Sequence, residues 1–314
     1  MKNIKLVIEP RKEVTLEEFN LFPPYSIALD GYAIGGPHFD KLNKNINFDH
    51  HSGVVREATM STAMQVFLAI KQGLFDLYPK GVMPTVYIND CDQDTSLAIW
   101  LLDNHHLFEG GSSIPNISRI LNLSDKLDIT AGAYPVNLSS DLMSKHCWVF
   151  KPYSDFRTSG RLYNSDSEAM LQTLELIMNR LNQLMMGQAG ECELDTRHTI
   201  IFQDHLITMV HEIGGNDARY FLYSQGMKAH ISLVSIREDG RFVYSIGRKS
   251  KYIDFDLKSF FILMNEMDTT IEGKPLPQNE QAGGSDLIGG SSRIHGSSLS
   301  WDKLIEIYNQ VVAK

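Results

Sequence analysis

The residues of this sequence best suited to chemistry are aspartates and histidines in its first third. Asp49, His50 and His51 stand together where an apolar run, residues 46–48, gives way to polar residues. Three more carboxylates fall within five positions just before a helical pattern: Asp90, Asp92 and Asp94. Carboxylates this close repel one another unless a cation compensates their charge. Several carboxylates with one or two imidazoles suit Mn²⁺ or Mg²⁺, and pairs of such ions about 3.5–4 Å apart serve hydrolysis in two-metal sites.

The acidic cluster at residues 90–94 is a poor match to a calcium loop or a structural zinc site. Its spacing resembles the start of a calcium-binding EF-hand loop, but Thr95 and Leu101 stand where that loop needs glycine and glutamate. The cysteines form no C-x-x-C pair, which argues against a structural zinc site. The remaining alternative is that the aspartates cap helices predicted to begin near residues 61 and 95. A cap explains one aspartate, so three with a histidine pair favour a metal.

The surrounding pattern predicts elements that would bring these residues together. Residues 25–29, 46–48 and 84–89 are short, β-branched apolar runs, and an aspartate ends each of them: Asp30, Asp49 and Asp90. Helical spacing follows the second and third runs, at residues 61–74 and 95–102. Alternating strands and helices predict an α/β domain with a mainly parallel sheet. In such sheets ligands lie at the carboxyl ends of the strands, where these aspartates fall.

The second half of the sequence predicts a smaller α/β domain. Residues 165–186 form the longest helical pattern, with an apolar stripe suited to core or domain-bridging packing. Strands are predicted at 220–223, 229–236 and 241–246, and helices at 256–267 and 301–312. The natural division is a domain of residues 1–160, a connecting helix at 161–194 and a second domain at 195–314.

Composition restricts the class of protein. The chain has 29 Lys and Arg against 38 Asp and Glu, a net charge of −9, so it is not expected to coat duplex nucleic acid. A small phosphorylated substrate remains possible, because a bound metal can supply positive charge. The sequence shows neither a secretory signal nor a run long enough to span a membrane, and its odd number of cysteines fits reduced thiols. We therefore expect a cytoplasmic protein without a membrane partner. Methionines at 185–186 fit either a homodimer interface or core filling.

Two features of the second half suit phosphate binding. Arg248, Lys249 and Ser250 follow a predicted strand and offer a bidentate donor, a point charge and a hydroxyl. Glycines are concentrated between residues 283 and 296, and this stretch includes Gly289, Gly290, Arg293 and His295. Glycines let successive backbone N–H groups turn inward as an anion nest, although a flexible surface loop has the same composition. Because both features fall in one small domain, we interpret it as a phosphate-binding domain.

Several segments resemble the DHH phosphoesterase superfamily. Residues 48–51 (FDHH), with 58–62 (ATMST) opening a helix, resemble its signature segment. Residues 89–98 resemble its Asp-x-Asp motif, and residues 124–128 are similar to its later metal-binding aspartate, which would be Asp128. The glycine-rich stretch resembles the substrate loop of its second, DHHA1-like domain. The resemblance covers about residues 25–130 and 240–300, and it implies a divergent two-domain enzyme that holds two Mn²⁺ ions.

The order of the motifs leaves two alternatives. In the superfamily the Asp-x-Asp motif precedes the Asp-His-His motif, whereas here it follows. Either the motifs are permuted, or Asp30 takes the early role and the cluster at 90–94 supplies a later ligand.

The sequence therefore predicts a Mn²⁺-dependent (or Mg²⁺-dependent) phosphoesterase that hydrolyses a phosphodiester or phosphoanhydride bond of a small phosphorylated or nucleotide substrate in a cleft between domains. The expected metal ligands are Asp30, Asp49, Asp90, Asp92 and one of His50 or His51, with Asp94 and Asp128 as further candidates. The ions would activate a water for attack, while His51 could contact the phosphate or donate a proton.

The residues expected to hold the remote phosphate are Arg248, Lys249, Arg293 and His295, with Ser250, Gly289 and Gly290 beside them. The alternative is a regulatory protein that binds a nucleotide or phosphate on a similar scaffold without hydrolysing it.

Overall fold

The computed structural model describes residues 1–164 and 166–313, which divide into two compact units. Unit 1 holds residues 1–129, 139–153 and 166–193, and unit 2 holds residues 130–138, 154–164 and 194–313. The fold is mixed α/β, as expected. The units interleave along the chain, and the domain limits drawn from the sequence stay predictions.

Unit 1 is built on a mainly parallel sheet. Its strands are β1 (Lys5–Ile8), β3 (Ser26–Leu29), β5 (His38–Phe39), β6 (Ile46–Phe48) and β7 (Thr85–Ile88), and a separate parallel pair comprises β2 (Val14–Thr15) and β4 (Ala33–Ile34). The order across the sheet is β1-β7-β3-β6-β5, in which β5 alone of the described strands runs antiparallel. The strands predicted at 25–29, 46–48 and 84–89 are confirmed as β3, β6 and β7. Their carboxyl ends therefore share one edge.

Unit 1 also contains α-helices, the fifth of which continues into unit 2 at residue 154. They are α1 (Leu16–Phe19), α2 (Thr62–Lys71), α3 (Gln93–Asp103), α4 (Pro115–Ile129), α5 (Asp141–Thr158) and α6 (Ser167–Met185). The helix α3 is buried at every position from Asp94 to Leu102, which places it in the core with Trp100 fully enclosed. The helices predicted at 61–74 and 95–102 are confirmed as α2 and α3. The helix predicted at 165–186 is confirmed as α6, apart from Ser165, which lies outside the described residues.

Unit 2 contains a mixed sheet of order β12-β13-β11-β10-β9-β8. Its elements are β8 (Thr199–Gln203), β9 (Ile207–His211), α7 (Asn216–Ser224), β10 (Ala229–Ile236), β11 (Phe242–Arg248), α8 (Leu257–Met267), β12 (Gly283–Gly284), β13 (Ile288–Gly290) and α9 (Trp301–Val312). The apolar core of this unit joins Ile231 and Ile246 of the sheet to Phe260 of α8 and Tyr308 of α9. The predicted strands at 229–236 and 241–246, and both predicted helices, are confirmed.

The strand predicted at 220–223 is wrong, because Tyr220–Tyr223 lie in α7. The aromatic run Tyr-Phe-Leu-Tyr has high β propensity, but burial follows a helical spacing, with Ala218, Leu222 and Tyr223 buried on one face. Leu222 and Tyr223 pack against Val210 of β9, so tertiary contacts decide the local structure. Among the described residues, no helix is both long enough and apolar enough to cross a membrane.

Candidate metal site

The candidate site lies at the carboxyl ends of neighbouring parallel strands. Asp30 follows β3 directly, and Asp49 follows β6, with His50 and His51 next. The strand β3 lies between β6 and β7, so the ends of these strands are neighbours. Asp30 adopts a positive φ of 53° and Gly31 follows at 82°, a tight turn that keeps the aspartate at the strand end. The sheet thus brings residues about 20 positions apart in sequence to one edge.

His50 lies at the centre of the site. Its side chain is fully buried, and its Nε2 atom lies 2.7 Å from Oδ2 of Asp128, 3.6 Å from Oδ1 of Asp30 and 3.7 Å from Oδ2 of Asp94. Asp30 and Asp94 are buried as well, whereas Asp128 is about one quarter exposed. Carboxylates from three separate segments therefore converge on one imidazole.

His51 extends the cluster towards solvent. Its side chain is 32% exposed, and its Nδ1 atom lies 2.9 Å from Oδ1 of Asp49 and 3.5 Å from Oδ1 of Asp30. The carboxylate of Asp49 also accepts hydrogen bonds from the backbone N–H groups of His51 and Ser52. Asp49 therefore fixes the loop and the ring of His51.

The amino-terminal turns of α2 and α3 fix the carboxylates from the other side. Thr62 and Thr95 donate their hydroxyl groups to Oδ1 and Oδ2 of Asp30, at 2.8 and 3.1 Å. Asp94 accepts the backbone N–H groups of Thr62 and Ala63, at 2.6 and 2.9 Å. The amino-terminal end of a helix favours negative charge, because its first N–H groups have no partner within the helix. Both carboxylates are thus held rigidly.

Arg56 supplies a second cationic group at the site. It lies in a 3₁₀ turn, Arg56–Ala58, and its Nη2 atom lies 3.1 Å from Oδ1 of Asp128. Asp128 itself is in the last turn of α4. The other carboxylate oxygen of Asp128, Oδ2, faces His50.

The pKa values of the site show that its negative charges are not fully compensated by the protein. Burial opposes the charge of His50, but the Asp128 carboxylate outweighs it and raises the pKa of His50 to about 9. Burial raises the pKa of Asp30 to about 6, and burial together with Asp30 and Asp128 raises the pKa of Asp92 to about 7. Burial and the neighbouring carboxylates also raise the pKa of Asp94 well above its usual range. Excess negative charge is therefore a property of this site, and a divalent cation would relieve it.

The donor atoms fit a metal ion. Two overlapping groups have ligand atoms within 4.8 Å of one another: Asp30, His50 and His51 in the first, and His50, Asp94 and Asp128 in the second. Among the described residues, both ring nitrogens of His50 and Oδ2 of Asp128 are buried without a hydrogen-bond partner of good geometry. Buried polar atoms are rarely left in this state, and a cation would satisfy Nε2 of His50 and Oδ2 of Asp128 together.

Three other predicted ligands, Asp49, Asp90 and Asp92, lie outside these groups. Asp90 accepts hydrogen bonds from the hydroxyl of Tyr153 and the backbone N–H of Cys91. Asp92 caps α3 by accepting the backbone N–H of Thr95. The capping alternative thus holds for Asp92. Asp94 combines both roles, because it bonds to the first turn of α2 and also lies in the second ligand group.

Arg248 and His295, two of the predicted phosphate-binding residues of unit 2, have side-chain partners within the unit. Arg248 donates to the carbonyl oxygens of Asp286, Ile253 and Phe255, and His295 lies 2.6 Å from a carboxylate oxygen of Glu280. The backbone N–H of Lys249 donates to Lys228, and the hydroxyl of Ser250 accepts from Tyr252. Arg293 lies between Ser292 and His295, which are joined by a hydrogen bond. The side chains of Arg248 and His295 are therefore engaged.

Gly289 and Gly290 lie in β13, not in the loop that the composition suggested. They pair with Gly284 and Gly283 of β12 on one side and with β11 on the other. A Cβ atom on Gly289 would collide with the backbone oxygen of Gly283 and the ring of Phe261. Close packing between strands therefore accounts for these glycines.

Arg56, Thr62 and Thr95 belong to the site, and sequence reasoning missed them. Thr62 and Thr95 lie in the first turns of α2 and α3, and each helix follows a segment rich in aspartate. This position is only a weak indication in the sequence that their hydroxyl groups bind a carboxylate. Arg56 carries no local signal, because its partner Asp128 is 72 positions away. Comparisons with protein-family models, with curated proteins and with solved structures find no match to this chain.

Proposed function

We propose that the protein is a Mn²⁺-dependent phosphoesterase that hydrolyses a phosphodiester or phosphoanhydride bond of a small phosphorylated or nucleotide substrate. One observation carries the proposal: His50 is buried among Asp30, Asp94 and Asp128 at the carboxyl edge of a parallel sheet, with carboxylate oxygens from all three within 3.7 Å of its Nε2 atom. The resemblance of residues 48–51 to the signature of the DHH phosphoesterase superfamily supports the choice of reaction.

The geometry suggests separate roles for the residues that bind the cation and for those that position them. Asp30, Asp94 and Asp128 would hold the cation together with His50, since each has a carboxylate oxygen within 3.7 Å of its Nε2 atom. When bound, such an ion polarises the phosphoryl oxygens and lowers the pKa of a bound water. Thr62 and Thr95 keep Asp30 in place, so the carboxylate does not need to reorganise when charge develops.

His51 is suited to proton transfer. Burial and the nearby Arg56 lower the pKa of His51, which favours the neutral form of its ring. Its Nδ1 faces Asp49, so the proton rests on Nδ1 and Nε2 is left as an acceptor. Because the ring is partly exposed, a water or a substrate hydroxyl can reach Nε2.

The test combines purified protein, Mn²⁺ and a panel of dinucleotides, cyclic dinucleotides, pyrophosphate and polyphosphate. We expect product release from at least one of them by the wild type, and loss of both turnover and Mn²⁺ binding in Asp128→Asn. The control Asp141→Asn removes an exposed carboxylate on α5 and should retain both. Full turnover by Asp128→Asn, or failure of the wild type to bind Mn²⁺, would contradict the proposal.

A second candidate function is binding of a nucleotide or phosphate without hydrolysis. The engagement of Arg248 and His295 by partners within unit 2 favours it, because the predicted grip on a remote phosphate is then not preformed. The same panel separates the two functions: saturable binding with no product release in the presence of Mn²⁺ supports the binding protein.

A further inference from the structure

Arg56 is an unusual neighbour for a cation site, because it is itself a buried cation. The residue is 5% exposed and belongs to the 3₁₀ turn that follows the Asp-His-His segment. Burying a guanidinium is costly unless its N–H groups have acceptors. The groups that accept hydrogen bonds from Arg56 therefore indicate its structural role.

The guanidinium of Arg56 makes two kinds of contact with one residue. Its Nε and Nη2 atoms donate to the backbone oxygen of Asp128, at 3.3 and 3.0 Å, and Nη2 also donates to Oδ1 of the same residue at 3.1 Å. Asp128 is in the last turn of α4, where carbonyl oxygens have no partner within the helix. Arg56 thus caps α4 and grips the side chain of its penultimate residue.

This grip determines where the other oxygen of Asp128 points. With Oδ1 held by Arg56, Oδ2 lies 2.7 Å from Nε2 of His50, within the second ligand group. A carboxylate held at one oxygen loses the freedom to rotate its other oxygen out of the site. The planar fork of arginine suits such a two-point contact, whereas a lysine offers a single charged atom.

Arg56 has two opposing effects on a bound cation. Its positive charge repels the ion, and this alone would weaken binding. Its grip on Asp128 prepares a ligand, which strengthens binding, as partners of metal ligands do in many metal sites. The two effects predict opposite results when the charge is removed, so they can be separated by experiment.

We propose that Arg56 is a positioning residue for the metal: it fixes Asp128 through the backbone oxygen and Oδ1 so that Oδ2 is ready to bind a divalent cation beside His50. The inference rests on the proposed function, because it assumes that the site binds a cation.

The experiment measures the dissociation constant of Mn²⁺ for the full chain by isothermal titration, with Arg56→Gln and Arg56→Lys beside the wild type. We expect both variants to bind Mn²⁺ about 10- to 100-fold more weakly, including Arg56→Gln, which has lost the repelling charge. The control Arg119→Gln removes an exposed arginine from the same helix as Asp128 and should bind within about twofold of the wild type.

The spectrum of bound Mn²⁺ provides a readout that a merely structural role would not change. Electron paramagnetic resonance should show an altered zero-field splitting in both Arg56 variants, because one ligand is no longer fixed, and an unaltered one in Arg119→Gln. All variants are compared at a temperature where circular dichroism shows them folded, and Arg56→Lys carries the test if Arg56→Gln does not fold.

The outcomes separate this inference from the proposed function. A wild type that binds no Mn²⁺ overturns both. A wild type that binds Mn²⁺, with Arg56→Gln binding as tightly or more tightly and Arg56→Lys unchanged, overturns the positioning role alone.

Discussion

The carboxylates around His50 carry more negative charge than the His50 imidazole and Arg56 compensate. Asp128 keeps the imidazole protonated, while burial pushes Asp30, Asp92 and Asp94 towards their neutral forms. Burial opposes the charge of Asp128 as well, but the His50 imidazole and Arg56 outweigh it and lower the pKa of Asp128. A divalent cation would let these acids ionise together, so the metal-free protein has a distinctive dependence on pH.

Asp92→Asn tests this dependence. A group whose pKa is raised from 3.8 to about 7 on folding stabilises the folded state fully below pH 3.8, and this contribution is lost as the pH rises through about 7. Asparagine carries no charge and keeps an oxygen for capping α3. We therefore expect the variant, in EDTA, to have a higher Tm than the wild type at pH 8 and a similar Tm at pH 4. Equal Tm values at pH 8 would contradict a raised pKa of Asp92 in the folded protein.

At the scale of elements, the strands could be predicted from the sequence because their signals are local. Apolar runs ending on Asp30 and Asp49 indicate both the strand and the place where it stops. The helical pattern after the second run, which is α2 between β6 and β7, indicates a parallel arrangement. The edge of the sheet that carries the candidate site was therefore predictable before the structure.

The contacts that complete the site could not be predicted in the same way. Asp94 bonds to backbone groups of α2, 32 positions away, and Arg56 meets Asp128 across 72 positions. Neither contact leaves a periodic trace in the sequence. The sequence could not distinguish the two possible roles of the glycines at 289–290. Close packing between strands and phosphate-binding loops both favour residues without a Cβ atom.

An element-scale prediction concerns how α7 is joined to the sheet of unit 2. Arg219 of α7 donates three hydrogen bonds to the buried carboxylate of Glu212, which follows β9. In Arg219→Met the buried carboxylate of Glu212 keeps only a longer contact, 3.9 Å from Nη2 of Arg157, so we expect the free energy of unfolding to fall by about 3 kcal/mol. Urea denaturation measures this value. Arg197→Met breaks an exposed pair with Asp195 and should lower the free energy of unfolding far less; equal losses would argue against a special role for the buried pair.

For the whole molecule, the account implies that stability depends on the metal. A ligand that binds only the folded protein stabilises it by mass action, by about 2.7 kcal/mol when its free concentration is 100 times Kd. We expect Mn²⁺ to raise the Tm of the wild type at pH 8 and EDTA to reverse the effect. Asp128→Asn should show no such shift, whereas Asp141→Asn should respond like the wild type. A shift of equal size in Asp128→Asn would place the stabilising ion elsewhere.

Binding of a transition-metal ion by oxygens and imidazole nitrogens from separate segments of unit 1 can be seen in an anomalous difference map at the manganese absorption edge, from crystals grown with Mn²⁺. We expect a peak at bonding distance from Nε2 of His50 and Oδ2 of Asp128, with Asp30 or Asp94 completing the ligands. A map with manganese only at surface carboxylates, and none beside His50, would contradict it.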